Sequence, residues 1–296
     1  MTSKESLGLQ LGEINAANAA ILRDRDQRAV VELDPDHPGF RDAAYRARRN
    51  AIADIALRYK PGTPLPTVDY TAEEHDTWRI ICDHLLPTQQ RLACRAYLEA
   101  AANLQLPTQQ LPQLRDVSAR LEQLSGFRLE PAAGLVDPRV FLCTLGEGIF
   151  LSTQYIRHPS APLYTPEPDI VHELLGHAVT LAHPQLAELN RALGQAAQRT
   201  ESNEMLEKLG RIYWYTIEFG VLMEGQQPKA YGAGLLSSAG ELQRVETVEL
   251  RPFDLYEMIE RSYDVTQYQP FLYCAPSFEE MLIQLQDFLN RWPRIY

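Results

Sequence analysis

No stretch of this chain approaches the roughly 20 uninterrupted apolar residues that a membrane helix needs. The opening segment, MTSKESLGLQLGEINAANAA, lacks a basic end followed by an apolar core, so no secretory leader is read there. A soluble, cytoplasmic protein is expected. Cysteine is sparse: Cys82, Cys94, Cys143 and Cys274 are far apart and form no C-x-x-C pair. That excludes a zinc knuckle and a disulfide framework, and leaves buried free thiols as the expectation. Basic charge is also short, with 28 Lys and Arg against 39 Asp and Glu for a net charge of -11. Nothing basic is concentrated enough to offset phosphate repulsion, which disfavours a nucleic-acid or anionic-membrane partner. The RARRN cluster at 46–50 reads as a solvated helix face. Internal repeats and low-complexity tracts are absent.

What is present suits a globular fold. The 296 residues are 45% hydrophobic and 9% aromatic, enough for a sizeable core in one large domain or two small ones. The first 31 residues are polar and weakly periodic, suggesting an exposed helix or partly ordered arm. After the DPDHPGF turn, a helix is expected from about Arg41 to Tyr59. Two more are expected between Thr71 and Leu106, the second starting after Pro87 with Thr88 as cap and carrying Leu92, Tyr97 and Leu98 inward. Another follows Asp116 and stops near Gly126. Residues 127–158 change character, and their β-branched and aromatic residues with Gly and Pro punctuation indicate short strands and loops. Helices return at 184–200 and 203–223. The last is marked by an S-x-x-E capping box at Ser277 and Glu280, and stops before Pro293. The pattern is mainly α with a few short strands. His37, His75 and His84 are isolated, and surface or capping roles suit them better than ligation.

The densest chemistry lies between Pro166 and His183, PEPDIVHELLGHAVTLAH. His172 and His177 stand five residues apart rather than the four of H-E-x-x-H. At about 100° per residue the second ring is turned roughly 140° from the first. Both rings can address one ion only if the helix ends or bulges, and Gly176 is where that is expected. The spacing argues against a zincin, and a pair of buried, satisfied histidines is the plainer alternative. A second run supplies a carboxylate. Leu206, Leu209, Tyr213, Ile217 and Val221 recur at helical intervals, and Glu218 falls in the most apolar part, where a charge needs a positive partner. Two imidazoles and one carboxylate read as a facial triad that leaves positions on Fe(II) open for oxygen and a co-substrate. Trp214, four residues before Glu218, either walls that site or packs in the core.

The runs YTPEPDIVHELLGH, YWYTIEFG and KAYGAGLLSSAGEL, with TQYIRH and DPDHPGFRDAAYRARR, closely resemble the tetrahydropterin-dependent aromatic amino acid hydroxylases, the phenylalanine hydroxylase group above all. The resemblance covers Leu33 to the C-terminus. It implies a single, mainly helical catalytic domain over residues 32–296 behind an arm at 1–31. It implies that His172, His177 and Glu218 hold Fe(II), that tetrahydrobiopterin or a related tetrahydropterin supplies two electrons, and that O2 delivers one atom to the substrate ring. Phe141 matches the residue that stacks on the pterin, and Gly134 and Val136 match loop positions whose backbone meets its polar edge. Asp137 and Pro138 stand where the family usually has serines. Arg157, steadied by Asp169, matches the anchor for the substrate carboxylate, a role a planar guanidinium suits. Thr165 and Ser237 match further substrate contacts, Glu173 an acid near the pterin, and Tyr45 a lid residue.

The substrate implied is L-phenylalanine, hydroxylated at the para carbon to L-tyrosine. Trp214 agrees with the phenylalanine and tyrosine branches, and Val265 stands where the tyrosine branch has Asp. Val171 and the HAVTLAHP continuation after His177 depart from the usual residues beside the pocket. Tryptophan or tyrosine as substrate, and meta hydroxylation of phenylalanine, therefore stay open. Beyond the family, a zinc hydrolase and a noncatalytic amino acid sensor are the remote alternatives. Without the heptad-bearing tail of the animal enzymes, a monomer or weak dimer is expected.

Overall fold

The computed structural model describes residues 21–23, 29–31 and 33–294. Most of the arm at 1–31 lies outside the described residues. Its described part is extended rather than helical: β1 (Ile21–Arg23) pairs antiparallel with β2 (Ala29–Val31).

Helix α1 (Ala43–Arg58) starts where the Asp42 carboxylate accepts the N–H groups of Ala44 and Tyr45. The RARRN stretch within it is not a solvated face throughout. Arg49 is 1% exposed, stacks over the Tyr155 ring at 3.7 Å and pairs with Glu167. His37 is also buried rather than surface-lying, its Nδ1 accepting the Gly39 N–H as a turn cap.

Helix α2 (Ala72–Leu92) opens with a reciprocal capping box between Thr71 and Glu74. It runs straight through Pro87, where the sequence suggests a break. The proline removes only the N–H that would bond to the Asp83 carbonyl, and both residues are exposed, so water replaces the lost bond. The boundary falls instead at Ala93–Cys94, before α3 (Arg95–Leu104). Leu92 and Tyr97 are buried as expected, and Leu98 is half-buried. Helix α4 (Leu114–Ser125) ends at Gly126, whose φ of +75° is the left-handed conformation glycine adopts without strain.

The segment expected as strands and loops holds both kinds of element. Strand β3 (Arg128–Pro131) lies parallel to β4 (Ile149–Ser152), and α5 (Pro138–Gly146) crosses between them. The signal for α5 is the unusual Asp137–Pro138 pair. Asp137 accepts from the N–H groups of Arg139 and Val140, and Pro138 sits in the first turn, where its missing N–H costs nothing.

After the first of two π-helical turns come α6 (Val179–Leu181), α7 (Pro184–Gln198) and α8 (Asn203–Tyr213). Then follow β5 (Val221–Glu224), β6 (Gln227–Ala230), α9 (Ala233–Ser237), α10 (Ala239–Arg244), β7 (Glu249–Pro252), α11 (Leu255–Glu260), β8 (Phe271–Ala275) and α12 (Phe278–Arg291). The last four strands form a sheet of order β6-β5-β8-β7, antiparallel only between β5 and β6. One cluster of buried side chains joins Trp78 of α2, Tyr97 of α3, Leu121 of α4, Leu193 of α7, Leu209 of α8 and Phe288 of α12. Each such side chain contributes about 1.5–3 kcal/mol by leaving water. The mainly helical expectation holds. Among the described residues no helix is long and apolar enough to cross a membrane, and Cys82, Cys94, Cys143 and Cys274 are free thiols, the first three buried.

Candidate metal and substrate site

From His172 to Ala178 the backbone winds as a π-helix, with hydrogen bonds reaching to the fifth residue. One extra residue per turn brings positions five apart onto one side, which a regular helix would separate. The Nε2 atoms of His172 and His177 accordingly stand 3.0 Å apart. The distortion expected at Gly176 is present, but the turn widens without ending. Glycine is needed here for closeness: a Cβ would lie 2.8 Å from the Ala233 carbonyl oxygen and 3.1 Å from the Ala233 Cβ. Its absence lets α9 settle against the histidine turn.

Helix α8 likewise passes into a π turn, Trp214–Glu218, and stops, so the helix expected to reach residue 223 is shorter and Val221 belongs to β5. With the turn widened, the i,i+4 argument that put Trp214 and Glu218 on one face no longer applies. Gly232 then lies so close to the Glu218 carbonyl oxygen that a Cβ would meet it at 2.3 Å. The backbone after β6 is thereby laid along the end of this turn.

Glu218 reaches both imidazoles, with Oε1 3.0 Å from His177 Nε2 and Oε2 3.6 Å from His172 Nε2. Burial opposes a charge on Glu218, but His177 and His172 outweigh it and hold the carboxyl down at about 2. Burial lowers His172 to about 4, whereas on His177 the nearby Glu218 overcomes burial and raises the pKa. The Nε2 atoms of both histidines and the Glu218 carboxylate thus converge on one point. A divalent cation would satisfy all three donors at once, so the donor set fits an iron ion.

Ser237 fixes which His172 nitrogen is available. Its hydroxyl donates to the Ala233 carbonyl at 2.8 Å and lies 2.9 Å from His172 Nδ1. Having given its proton to Ala233, the oxygen accepts from Nδ1–H, which leaves Nε2 with a lone pair for metal. Ser237 thus meets the Nδ1 side of His172; the resemblance implies a substrate contact for it. His177 Nδ1 is buried with no hydrogen-bond partner among the described residues.

Glu173 is the competing carboxylate, since it groups with His172 and His177 within 4.8 Å. It is engaged elsewhere, accepting from the Thr153 N–H at 3.3 Å and hydroxyl at 3.1 Å, and burial pushes it up to about 7. Glu218, 3.0 Å from His177 Nε2 and 3.6 Å from His172 Nε2, is the carboxylate aimed at both rings.

Arg157 and Asp169, 4% and 1% exposed, form a forked pair. Asp169 accepts from Arg157 Nε at 2.9 Å, Nη2 at 2.8 Å and the backbone N–H at 2.8 Å. Thr165 donates its hydroxyl to the Glu167 carbonyl within the same loop. His158 contacts Asp42 and Ser160. Tyr45 is anchored in α1, donating to the Ile156 carbonyl at 3.0 Å and packing edge-on to His158. That position braces the Arg157 segment, and a lid motion would have to break its bond.

Phe141 lies half-buried on α5, edge-on to both Phe150 and Tyr213 at 5.5 Å. Those rings reach the metal side, Phe150 at 4.5 Å from His177 and Tyr213 nearly parallel to it at 6.2 Å. Gly134 is buried, and Val136 packs with Phe141 on Ala132, Val140, Ile149 and Leu151. Trp214 stacks on Tyr263 and meets Phe219 at a tilt. Sequence reasoning missed Thr153, Phe150 and Tyr213; only Tyr213, one turn before Glu218 on an apolar helix, carried a signal that could have found it.

The chain from residue 16 to 296 matches the model of the biopterin-dependent aromatic amino acid hydroxylases. It is 44% identical to human phenylalanine-4-hydroxylase over 270 residues, 89% of this chain and 60% of that protein. Identity is 43% over 245 residues to phenylalanine 3-hydroxylase of Streptomyces coeruleorubidus, 83% of this chain and 88% of that protein. It is 44% over 281 residues to cattle tyrosine 3-monooxygenase, 92% of this chain and 57% of that protein. The chain thus spans about three fifths of the length of the animal relatives it matches. Phenylalanine hydroxylase of Chromobacterium violaceum, solved with iron(III) and 7,8-dihydrobiopterin, superposes with a TM-score of 0.73 at 27% identity, covering 80% of this chain and 89% of that one. The chain belongs to the biopterin-dependent aromatic amino acid hydroxylase family.

Proposed function

We propose that this chain hydroxylates the ring of L-phenylalanine at the para carbon to give L-tyrosine, with O2 and a tetrahydropterin as co-substrates. The observation that carries the reading is the convergence of His172, His177 and Glu218, with the Arg157–Asp169 pair fixed beside them. Fe(II) held by those three residues would, with the reduced pterin, activate oxygen for attack on the ring.

The chain's own residues bind and orient the reactants. Arg157 spends Nε and Nη2 on Asp169 and keeps Nη1 for the carboxylate of the amino acid. Trp214 walls the ring pocket. Phe141 stacks on the pterin, with the backbone at Gly134 and Val136 against its polar edge, and the Glu173 carboxyl, held by Thr153, orients it. Glu173 is the acid group nearest the reacting centre besides Glu218. Tight packing of Phe150 and Tyr213 around His177 keeps bulk water from that ligand. Trp214 and Val265 support phenylalanine over tryptophan and tyrosine. A second reading, meta hydroxylation, is supported by the Streptomyces relative, whose length this chain nearly spans.

Incubation with iron, tetrahydropterin and each aromatic amino acid, followed by chromatography of the ortho, meta and para products, tests the proposal. Para-tyrosine from phenylalanine is expected. A predominant meta product would replace the first reading by the second, and no product from any of the three substrates would remove both.

A further inference from the structure

Trp214 is held by more than stacking. Its ring lies at 8° to Tyr263 with centroids 4.3 Å apart, and Phe219 covers it at 4.5 Å. Stacking fixes the plane of an indole but not which edge a half-turn about Cβ–Cγ presents. A hydrogen bond supplies the second constraint: Trp214 Nε1–H donates to Gln269 Oε1 at 3.1 Å. Gln269 is in turn pinned. Its backbone N–H donates to Glu241 Oε1 at 2.8 Å, and its Nε2 reaches the Gln267 carbonyl at 3.3 Å. Gln269 and Glu241 are 4% and 6% exposed, too deep for water to substitute freely for lost partners.

The anchor of this relay sits on α10, directly after the helix that carries Ser237. Glu241 also meets Arg244, whose guanidinium lies over the Tyr268 ring at 5.1 Å. One short stretch, 237–244, therefore secures the loop that bears Gln269 and also holds His172 through Ser237. The ligand side and the Trp214 side of the site share a single support.

We propose, on the reading of Trp214 as a wall of the substrate pocket, that Gln269 and Glu241 are positioning residues that hold the Trp214 indole in one of the two flip states its stack allows and thereby set the choice among aromatic amino acids. Gln269 presents the acceptor, its Nε2 donating to the Gln267 carbonyl so that the amide oxygen faces the indole, and Glu241 fixes the Gln269 backbone. Without the relay, the indole samples both flip states and the pocket accepts rings less selectively.

The test compares Gln269→Leu, Glu241→Ala and the conservative Glu241→Gln with the unaltered protein, all loaded with iron. Gln269→Leu and Glu241→Ala are expected to raise KM for the preferred amino acid roughly 5–10-fold, the scale of one buried hydrogen bond. Preference for it over the other aromatic amino acids falls, while kcat and KM for tetrahydropterin stay within about twofold. Glu241→Gln, which keeps an acceptor oxygen, restores most of the loss. Near-ultraviolet circular dichroism follows the tryptophan environment without turnover and is expected to change in the first two variants and not in the third. That readout reports on the relay even where no aromatic amino acid is hydroxylated. Unchanged dichroism and unchanged selectivity in Gln269→Leu overturn the proposal, as does an effect confined to melting temperature.

Discussion

Arg157 and His172 share one carboxylate. Asp169 Oδ2 takes the backbone and Nε hydrogens of Arg157, while Oδ1 takes its Nη2 at 2.8 Å and the backbone N–H of His172 at 3.3 Å. The residue assigned to the substrate's carboxylate and the first histidine of the donor set are thereby held in one rigid frame.

Replacing that carboxylate disturbs both ends. Asp169→Asn leaves the buried Arg157 guanidinium without a counter-charge, and a loss of about 3–5 kcal/mol in unfolding free energy is expected in urea. KM for the amino acid rises at least about tenfold, because the guanidinium is no longer oriented. Normal KM in a destabilised variant would show that Asp169 supports the fold without placing Arg157.

The close approach at Gly176 makes a different prediction. Gly176→Ala drives a methyl group against the backbone of Ala233, so α9 must shift away from the histidine turn. A destabilisation of about 1–3 kcal/mol is expected, with weaker iron binding because Ser237 moves with α9. Denaturant melts with and without Fe(II) measure both. Equal stability of the two proteins would mean that the turn relaxes freely.

Much of this site was legible in the sequence, and the parts that were not share a cause. The convergence of His172, His177 and Glu218 could be anticipated because two imidazoles and a carboxylate stand in unusually apolar surroundings, and the five-residue spacing demanded a distorted turn. Which distortion it was depended on Ala233, more than fifty residues away, a contact no local pattern reveals. Pro87 and the Asp137–Pro138 pair misled for related reasons. Proline is better tolerated inside a helix where the freed carbonyl is open to water, and it starts one when a cap precedes it, so the same residue was read wrongly in opposite senses. Arg49 looked solvated because periodicity does not report a cation stacked on Tyr155. Gln269 and Glu241 are ordinary polar residues whose part depends wholly on where Trp214 lies.

Ser237→Ala removes the acceptor that keeps the His172 proton on Nδ1. Iron affinity is expected to fall about 10–100-fold, as for other partners of metal-bound histidines, while the fold is retained. Isothermal titration under anaerobic conditions gives the number. An affinity equal to that of the unaltered protein would assign Ser237 elsewhere, to the substrate contact that the sequence resemblance implies.

The most direct test of the whole account asks which carboxylate completes the metal site. Anaerobic Fe(II) titration of the unaltered protein, Glu218→Gln and Glu173→Gln, each followed by thermal unfolding, separates the two acids. The account predicts one tightly held iron in the unaltered protein and in Glu173→Gln, with about 2.7 kcal/mol of added stability at a hundredfold excess over Kd. In Glu218→Gln that binding and the accompanying stabilisation are lost. Retained iron in Glu218→Gln together with its loss in Glu173→Gln would contradict the account.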